Sequence, residues 1–306
     1  LGDIWHTVYY YICILPKQPF GALSFDEIFL IISSFPLKQK LFQHGYRASL
    51  FLIKVGIMKA MSPWAAVATD IFNDQDLPAI YKIQLGDYKL TLHNVGDSLY
   101  IIVSWPNGGR LALRAAYAPN DDIRIKRVVE KDTYITFYIK AIIGDYTIKL
   151  YFQDPVTPVF RYTTTLKPSA PLFIPFWPRD IIPLNKDGKH GQPNGEVYAH
   201  QEGARTGFVY FSLAGSGSAF YMQNLTNLAD YCQETETSAA EVVGGQWPEI
   251  GFSLPPAIKK PLPTGREFII SDAYIALSTE IPADELKMAR QFLDLQAAVY
   301  LHLPLP

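Results

Sequence analysis

Two short stretches combine side chains suited to work on a polar substrate. Phe176-Trp177-Pro178-Arg179-Asp180 sets an aromatic plate, a guanidinium and a carboxylate on one proline-stiffened loop. Gly244-Gly245-Gln246-Trp247-Pro248-Glu249 repeats the association of Trp, Pro and a carboxylate. A flat ring covers the apolar face of a sugar while Arg and Asp hydrogen-bond its hydroxyls, so Trp177, Arg179, Asp180, Trp247 and Glu249 are the candidate substrate-binding residues. Asp180 and Glu249 are also the weak candidates for catalysis, because glycoside hydrolysis needs two carboxyl groups flanking the scissile bond. Glu249, desolvated beside Trp-Pro, reads as the better acid, and Asp180, next to Arg179, as the charged, ligand-holding group. A plainer reading stands beside this one: Arg179 and Asp180 pair locally, Trp177 plugs the core, and Trp247 is a buried indole in a turn. Glu202 and Arg205 offer one more ion pair, of the kind worth about 0 to 1 kcal/mol when exposed.

Other chemistries find little support. Gly215-Ser216-Gly217-Ser218 lacks the Lys and the following helix of a phosphate-cradling loop, and it lacks the spacing of a nucleophile elbow. The six histidines, His6, His44, His93, His190, His200 and His302, form no His-x-x-x-His pair, so neither a metal nor another cofactor is expected. Cys13 and Cys232 are 219 positions apart and read as free buried thiols in a reducing, cytoplasmic interior, the alternative being a disulfide between them in an oxidising compartment. Asn224-Leu225-Thr226 matches a glycosylation acceptor, a signal of little weight without a secretion signal. With 27 basic against 29 acidic side chains, the chain has no excess positive charge to condense onto nucleic acid. No apolar run reaches the eighteen to twenty or so residues that span a bilayer.

The elements that must position these residues are mostly strands. Ile80–Leu85, Tyr88–His93, Leu99–Trp105, Leu111–Tyr117, Ile123–Glu130, Thr133–Ile142 and Tyr146–Phe152 alternate apolar with polar residues. They are separated by Gly-, Asn- and Asp-rich turns, which predicts an antiparallel sandwich over 80–166. Residues 153–206 are rich in Pro and polar turns and read as long loops. Strands return at 208–213 and 219–224, a short helix is expected over 225–235, a loop over 243–264 and a strand over 267–277. A final amphipathic helix opens at Pro282 and carries Leu286, Ala289, Leu293, Ala297 and Tyr300 at three-to-four spacing.

Three segments follow from this: an N-terminal extension at 1–60, a mainly β sandwich domain at 61–280, and a helix with a Pro-rich linker at 281–306 leading to a further domain. The extension carries a local charge of +3 against −5 for the remainder, and the chain starts at Leu1 while Met58 and Met61 sit at the change in composition. It reads either as a poorly specified terminus or as a peripheral amphipathic segment.

The run from Pro158 to Asp180, the segment Phe220–Cys232 and Gly244–Phe252 together resemble the N-terminal part of bacterial proteins of the six-hairpin glycosidase type, in which a supersandwich-like β domain precedes an (α/α) toroid. The resemblance covers about residues 62–306. It implies a non-catalytic domain that shapes a carbohydrate-binding cleft, with the catalytic carboxylates on a downstream toroid, so that this chain is no enzyme by itself. A free-standing carbohydrate-binding module and a structural interaction domain with its Trp residues in the core are the competing expectations.

Overall fold

The computed structural model describes residues 78–303, apart from 120, 122, 153–157, 185–192 and 204. All of them belong to one unit, Ala60–Pro306. The expectations for residues 1–60, for Cys13 and for most of the turn at 185–194 lie outside the described residues.

The chain is mainly antiparallel β. The strands are β1 (Tyr81–Leu85), β2 (Tyr88–Val95), β3 (Ser98–Ser104), β4 (Arg110–Tyr117), β5 (Arg124–Glu130), β6 (Tyr134–Ala141), β7 (Gly144–Tyr151) and β8 (Val159–Pro168). There follow β9 (Leu172–Ile174), β10 (Ile181–Leu184), β11 (Gly195–Gln201), β12 (Thr206–Leu213) and β13 (Gly217–Asn224). A 3-10 turn (Leu225–Leu228) and helix α1 (Ala229–Thr235) lead to β14 (Val243–Gln246), β15 (Glu249–Phe252), β16 (Ala257–Leu262), β17 (Phe268–Ser278) and helix α2 (Glu285–Tyr300).

The first seven strands fall within a residue or two of the alternating segments. Their tight hairpins work because Gly86 and Gly96 take φ of 56° and 55°, where a Cβ is unwelcome.

Two large sheets result, in the orders β1-β2-β3-β4-β10-β15-β14 and β11-β12-β13-β17-β8-β7-β6-β5, with β9 and β16 as a separate pair. Residues 80–166 therefore supply one meander to each sheet, and each sheet is completed by strands from beyond residue 166. One core joins them: Leu90, Ile101 and Leu113 of the first sheet share it with Phe137, Ile148, Phe211 and Ile275 of the second. Edge strand β5 is protected by Arg124, Lys126, Arg127 and Glu130, charges that discourage further strand pairing.

Two loop expectations are overturned. Residues 153–206 hold β8 to β11, and residues 243–264 hold β14 to β16. The prolines sit where no ladder donor is needed. Pro158 precedes β8 and Pro168 ends it. Pro183 lies on the stretch of β10 beyond its one pairing with β15, Ile181 with Ile250. Between them the β-branched Thr163, Thr164 and Thr165 suit a central strand, and β8 pairs with both β7 and β17.

The final helix also departs from expectation, in two ways. Asp284 rather than Pro282 starts it, its side chain accepting from the Lys287 amide at 2.8 Å. The buried face is Met288, Phe292, Leu295 and Val299, packed on Tyr210, Phe220, Met222, Tyr274 and Ala276 of the larger sheet. The stripe of Leu286, Ala289, Leu293, Ala297 and Tyr300 points to solvent. The sheet offers a floor of large rings, and Phe292 fills it against Phe208, Tyr210 and Phe220 with ring centroids 5.3–5.6 Å apart.

Candidate functional site

The two candidate stretches, some seventy residues apart in sequence, are neighbours in space. Asp180 closes the loop before β10, and β15 lies beside β10. The Asp180 amide donates to the Phe252 carbonyl at 3.0 Å, and Arg179 Nη1 donates to the Gly251 carbonyl at 2.7 Å. Gly251 has to be glycine: a Cβ there would stand 2.3 Å from Asp180 Oδ1, and its φ is +102°.

What they build is not an open cleft. Asp180 is 3% exposed and points between the sheets. Its Oδ2 accepts from Tyr162 Oη of β8 at 2.8 Å and Tyr221 Oη of β13 at 2.5 Å, and its Oδ1 accepts from the Phe252 amide at 2.7 Å. One carboxylate thus ties the smaller sheet to two strands of the larger. Burial pushes its pKa up, and the donors from Tyr221, Phe252 and Tyr162 pull against that rise. Burial and the facing carboxylate push both tyrosines well above their ordinary value, so they remain donors. The expectation that Asp180 is a ligand-holding group paired or tuned by Arg179 is corrected here, since Arg179 is turned to a backbone carbonyl and the carboxylate is occupied.

Trp177 is 7% exposed, its ring edge-on to Tyr117 at 5.3 Å, and offers no flat face to a sugar. The half-buried Trp247 follows the same pattern. Its indole N–H donates to the Pro193 carbonyl at 2.8 Å, its ring packs against Phe211 at 6.2 Å, and the bond to Pro248 is cis. Glu249 begins β15, half-buried, with Oε1 enclosed and unpartnered among the described residues. Glu202 lies 3.9 Å from His200 and forms no ion pair with Arg205 among the described residues. Asn224 donates to Asp272 at 3.2 Å, so the glycosylation-like motif is engaged in internal structure.

A second polar cluster, on the outer face of the larger sheet, escaped the sequence reading. Asp272 of β17 is fully buried and receives Arg161 of β8 in a fork, Nε to Oδ1 at 2.7 Å and Nη2 to Oδ2 at 3.0 Å. Asn227 at 2.5 Å and Asn224 complete the shell around Oδ2, and Gln223 accepts from the Asp272 amide at 2.8 Å. Arg161 lies between the rings of Tyr151 and Tyr274, 5.1 and 4.9 Å from their centroids. Burial works against its charge, but the hydrogen bond and charge of Asp272 outweigh it and raise its pKa.

Strand register places Tyr134, Tyr151, Arg161 and Tyr274 in one row across β6, β7, β8 and β17. Beside that row Tyr151, Val159, Phe160, Arg161, Tyr274 and His302 line a small cavity of about 60 Å³. The Tyr274 hydroxyl is buried with no partner among the described residues. A lone charge inside an apolar strand, as in Phe268-Ile-Ile-Ser-Asp272-Ala-Tyr-Ile, was the available signal, because a buried charge demands a partner.

Among the described residues no three His, Cys, Asp or Glu side chains gather to hold a metal ion, and no helix is long and apolar enough to cross a membrane. Cys232 is a half-buried free thiol whose pKa is raised by burial. No protein-family model matches the chain, and no curated protein does.

Proposed function

We propose that this chain is a non-catalytic β-sandwich domain of a glycoside hydrolase-like protein, contributing a carbohydrate-contacting surface rather than the chemistry. The observation that carries the first half is the state of Asp180. A carboxylate enclosed between two sheets, with donors from Tyr162, Tyr221 and Phe252 on its oxygens, is committed to structure and meets no substrate. Asp180 and Glu249 therefore do not make a pair flanking a glycosidic bond. The surface with the right chemistry is the row of half-exposed Tyr134, Tyr151 and Arg161: two rings 5.7 Å apart for an apolar sugar face, and a guanidinium whose Nη1 lies outside the Asp272 fork. A downstream toroid, as the resemblance implies, would supply the acid and base.

The test is direct. The purified chain is expected to leave aryl glycosides intact, and to give a weak, saturable tyrosine or tryptophan fluorescence change on titration with neutral oligosaccharides that Tyr151→Ala removes. Hydrolysis abolished by Glu249→Gln would overturn the non-catalytic reading.

A second reading, a structural interaction domain without a ligand, is favoured by Trp177 lying in the core and by the exposed apolar stripe of α2. Oligosaccharide titrations that leave the fluorescence unchanged would decide for it.

A further inference from the structure

Helix α2 is apolar on two sides, and among the described residues only one has a partner. At about 100° per residue, Met288, Phe292, Leu295 and Val299 cluster on the side packed against the larger sheet. Leu286, Ala289, Leu293, Ala297 and Tyr300 fall within about 40° of the Leu293 direction, roughly 140° away from that packed side. This second stripe is open to solvent, with Leu286 76%, Leu293 60% and Tyr300 49% exposed and Leu301 at 85% just beyond. A continuous apolar ridge along four turns of a surface helix is the kind of feature that marks an association surface.

Its order says what fits. The stripe is symmetric in residue size about Leu293: Ala289 and Ala297 stand four residues to either side, and two large side chains, Leu286 and Tyr300, stand seven to either side. In an antiparallel pairing about a two-fold axis at Leu293, each Leu293 meets the other. Each Ala289 meets Ala297 of the second copy, where two small residues let the backbones approach, and each Leu286 packs on Tyr300 of the second copy. Charges flank the stripe in the same sense. Arg290 and Asp294 lie on one side of it, so the two-fold axis sets Arg290 of one helix beside Asp294 of the other, twice. A surface built to take an unrelated domain has no reason to be self-complementary, whereas an isologous dimer requires it.

We infer that the exposed face of α2 is a homodimerisation surface, on which a second copy of this chain pairs its own α2 in antiparallel register. This is independent of the carbohydrate reading. One helix pair falls short of the roughly 800 Å² per partner of a standard interface, so the dimer is a weak, concentration-dependent one.

Sedimentation equilibrium of the full chain tests it. The expected result is reversible dimerisation by about 100 µM, abolished by Leu293→Glu with an unchanged melting temperature, since Leu293 makes no part of the core. Arg290→Asp and Asp294→Arg each bring like charges together across the pair and weaken self-association, while an equimolar mixture of those two variants restores a dimer by restoring both ion pairs. A chain that stays monomeric at that concentration overturns the proposal. So does a dimer indifferent to Leu293→Glu, and a failure of the mixture to recover overturns the antiparallel register.

Discussion

Asp180 and Asp272 are both buried aspartates held by strands of the larger sheet, and they are satisfied by opposite means. Asp180, between the sheets, is met by neutral donors alone, two tyrosine hydroxyls and an amide. Asp272, on the outer face, is met by the Arg161 guanidinium and two asparagine amides. The difference follows from what each position can reach. The interior of a sandwich has no water to solvate the far side of a long cation, whereas Arg161 leaves 21% of its side chain exposed while its fork reaches a fully buried carboxylate. The first arrangement ties two sheets together. The second ties strands of a single sheet and leaves a charged, ring-flanked surface beside a small cavity.

The largest effect is expected at the charged site. Arg161→Ala leaves the enclosed Asp272 carboxyl group without its guanidinium partner, at a cost of about 3–5 kcal/mol in denaturant unfolding, and pairing it with Asp272→Asn recovers most of that loss. If the single change proved mild, the carboxylate would have to find water, and the contrast between the two sites would collapse.

Next comes Asp180→Ala, which strands two tyrosine hydroxyls and an amide and is expected to cost about 2–4 kcal/mol, with Asp180→Asn less disruptive. The pH dependence sharpens this. Because folding raises the Asp180 pKa, the folded state binds its proton more tightly. Its contribution to stability is therefore fully present below the ordinary carboxylate pKa and is lost as pH rises through the folded value. The difference in unfolding free energy between wild type and Asp180→Asn should accordingly move against the wild type as pH rises from about 4. A flat difference would mean that the three donors cancel the burial.

The smallest effect is Tyr221→Phe, which removes one of three donors, costs about 1–2 kcal/mol and raises the Asp180 pKa further, readable as a shift of that same pH profile.

Much of this architecture was legible in the chain. Alternation and Gly-rich hairpin turns placed β1 to β7, β12, β13 and β17, because a half-buried strand writes its two faces into a period of two. Strands β8 to β11 and β14 to β16 were hidden by Pro158, Pro168 and Pro183 and by the brevity of most of these strands. Proline blocks a strand only where its missing N–H is needed, and which positions those are depends on partners far away in sequence. The proximity of Arg179–Asp180 to Glu249–Phe252 could not be read either, since it is created by β10 inserting between β4 and β15.

The sequence by itself determined that this is an aromatic-rich, antiparallel β chain ending in a helix with apolar residues at helical spacing, since local periodicity and turn chemistry depend on near neighbours alone. The tertiary structure decided which side of each residue meets what. Trp177 and Asp180, chosen for their chemistry, went inside because two strands of the opposite sheet brought Tyr162 and Tyr221 to the carboxylate. In α2 the chain carries two apolar stripes, and composition cannot choose between them. The floor of rings on β12, β13 and β17 took Phe292 and Leu295 and left Leu293 facing out, because shape complementarity between distant elements, and not hydrophobicity alone, selects the buried face.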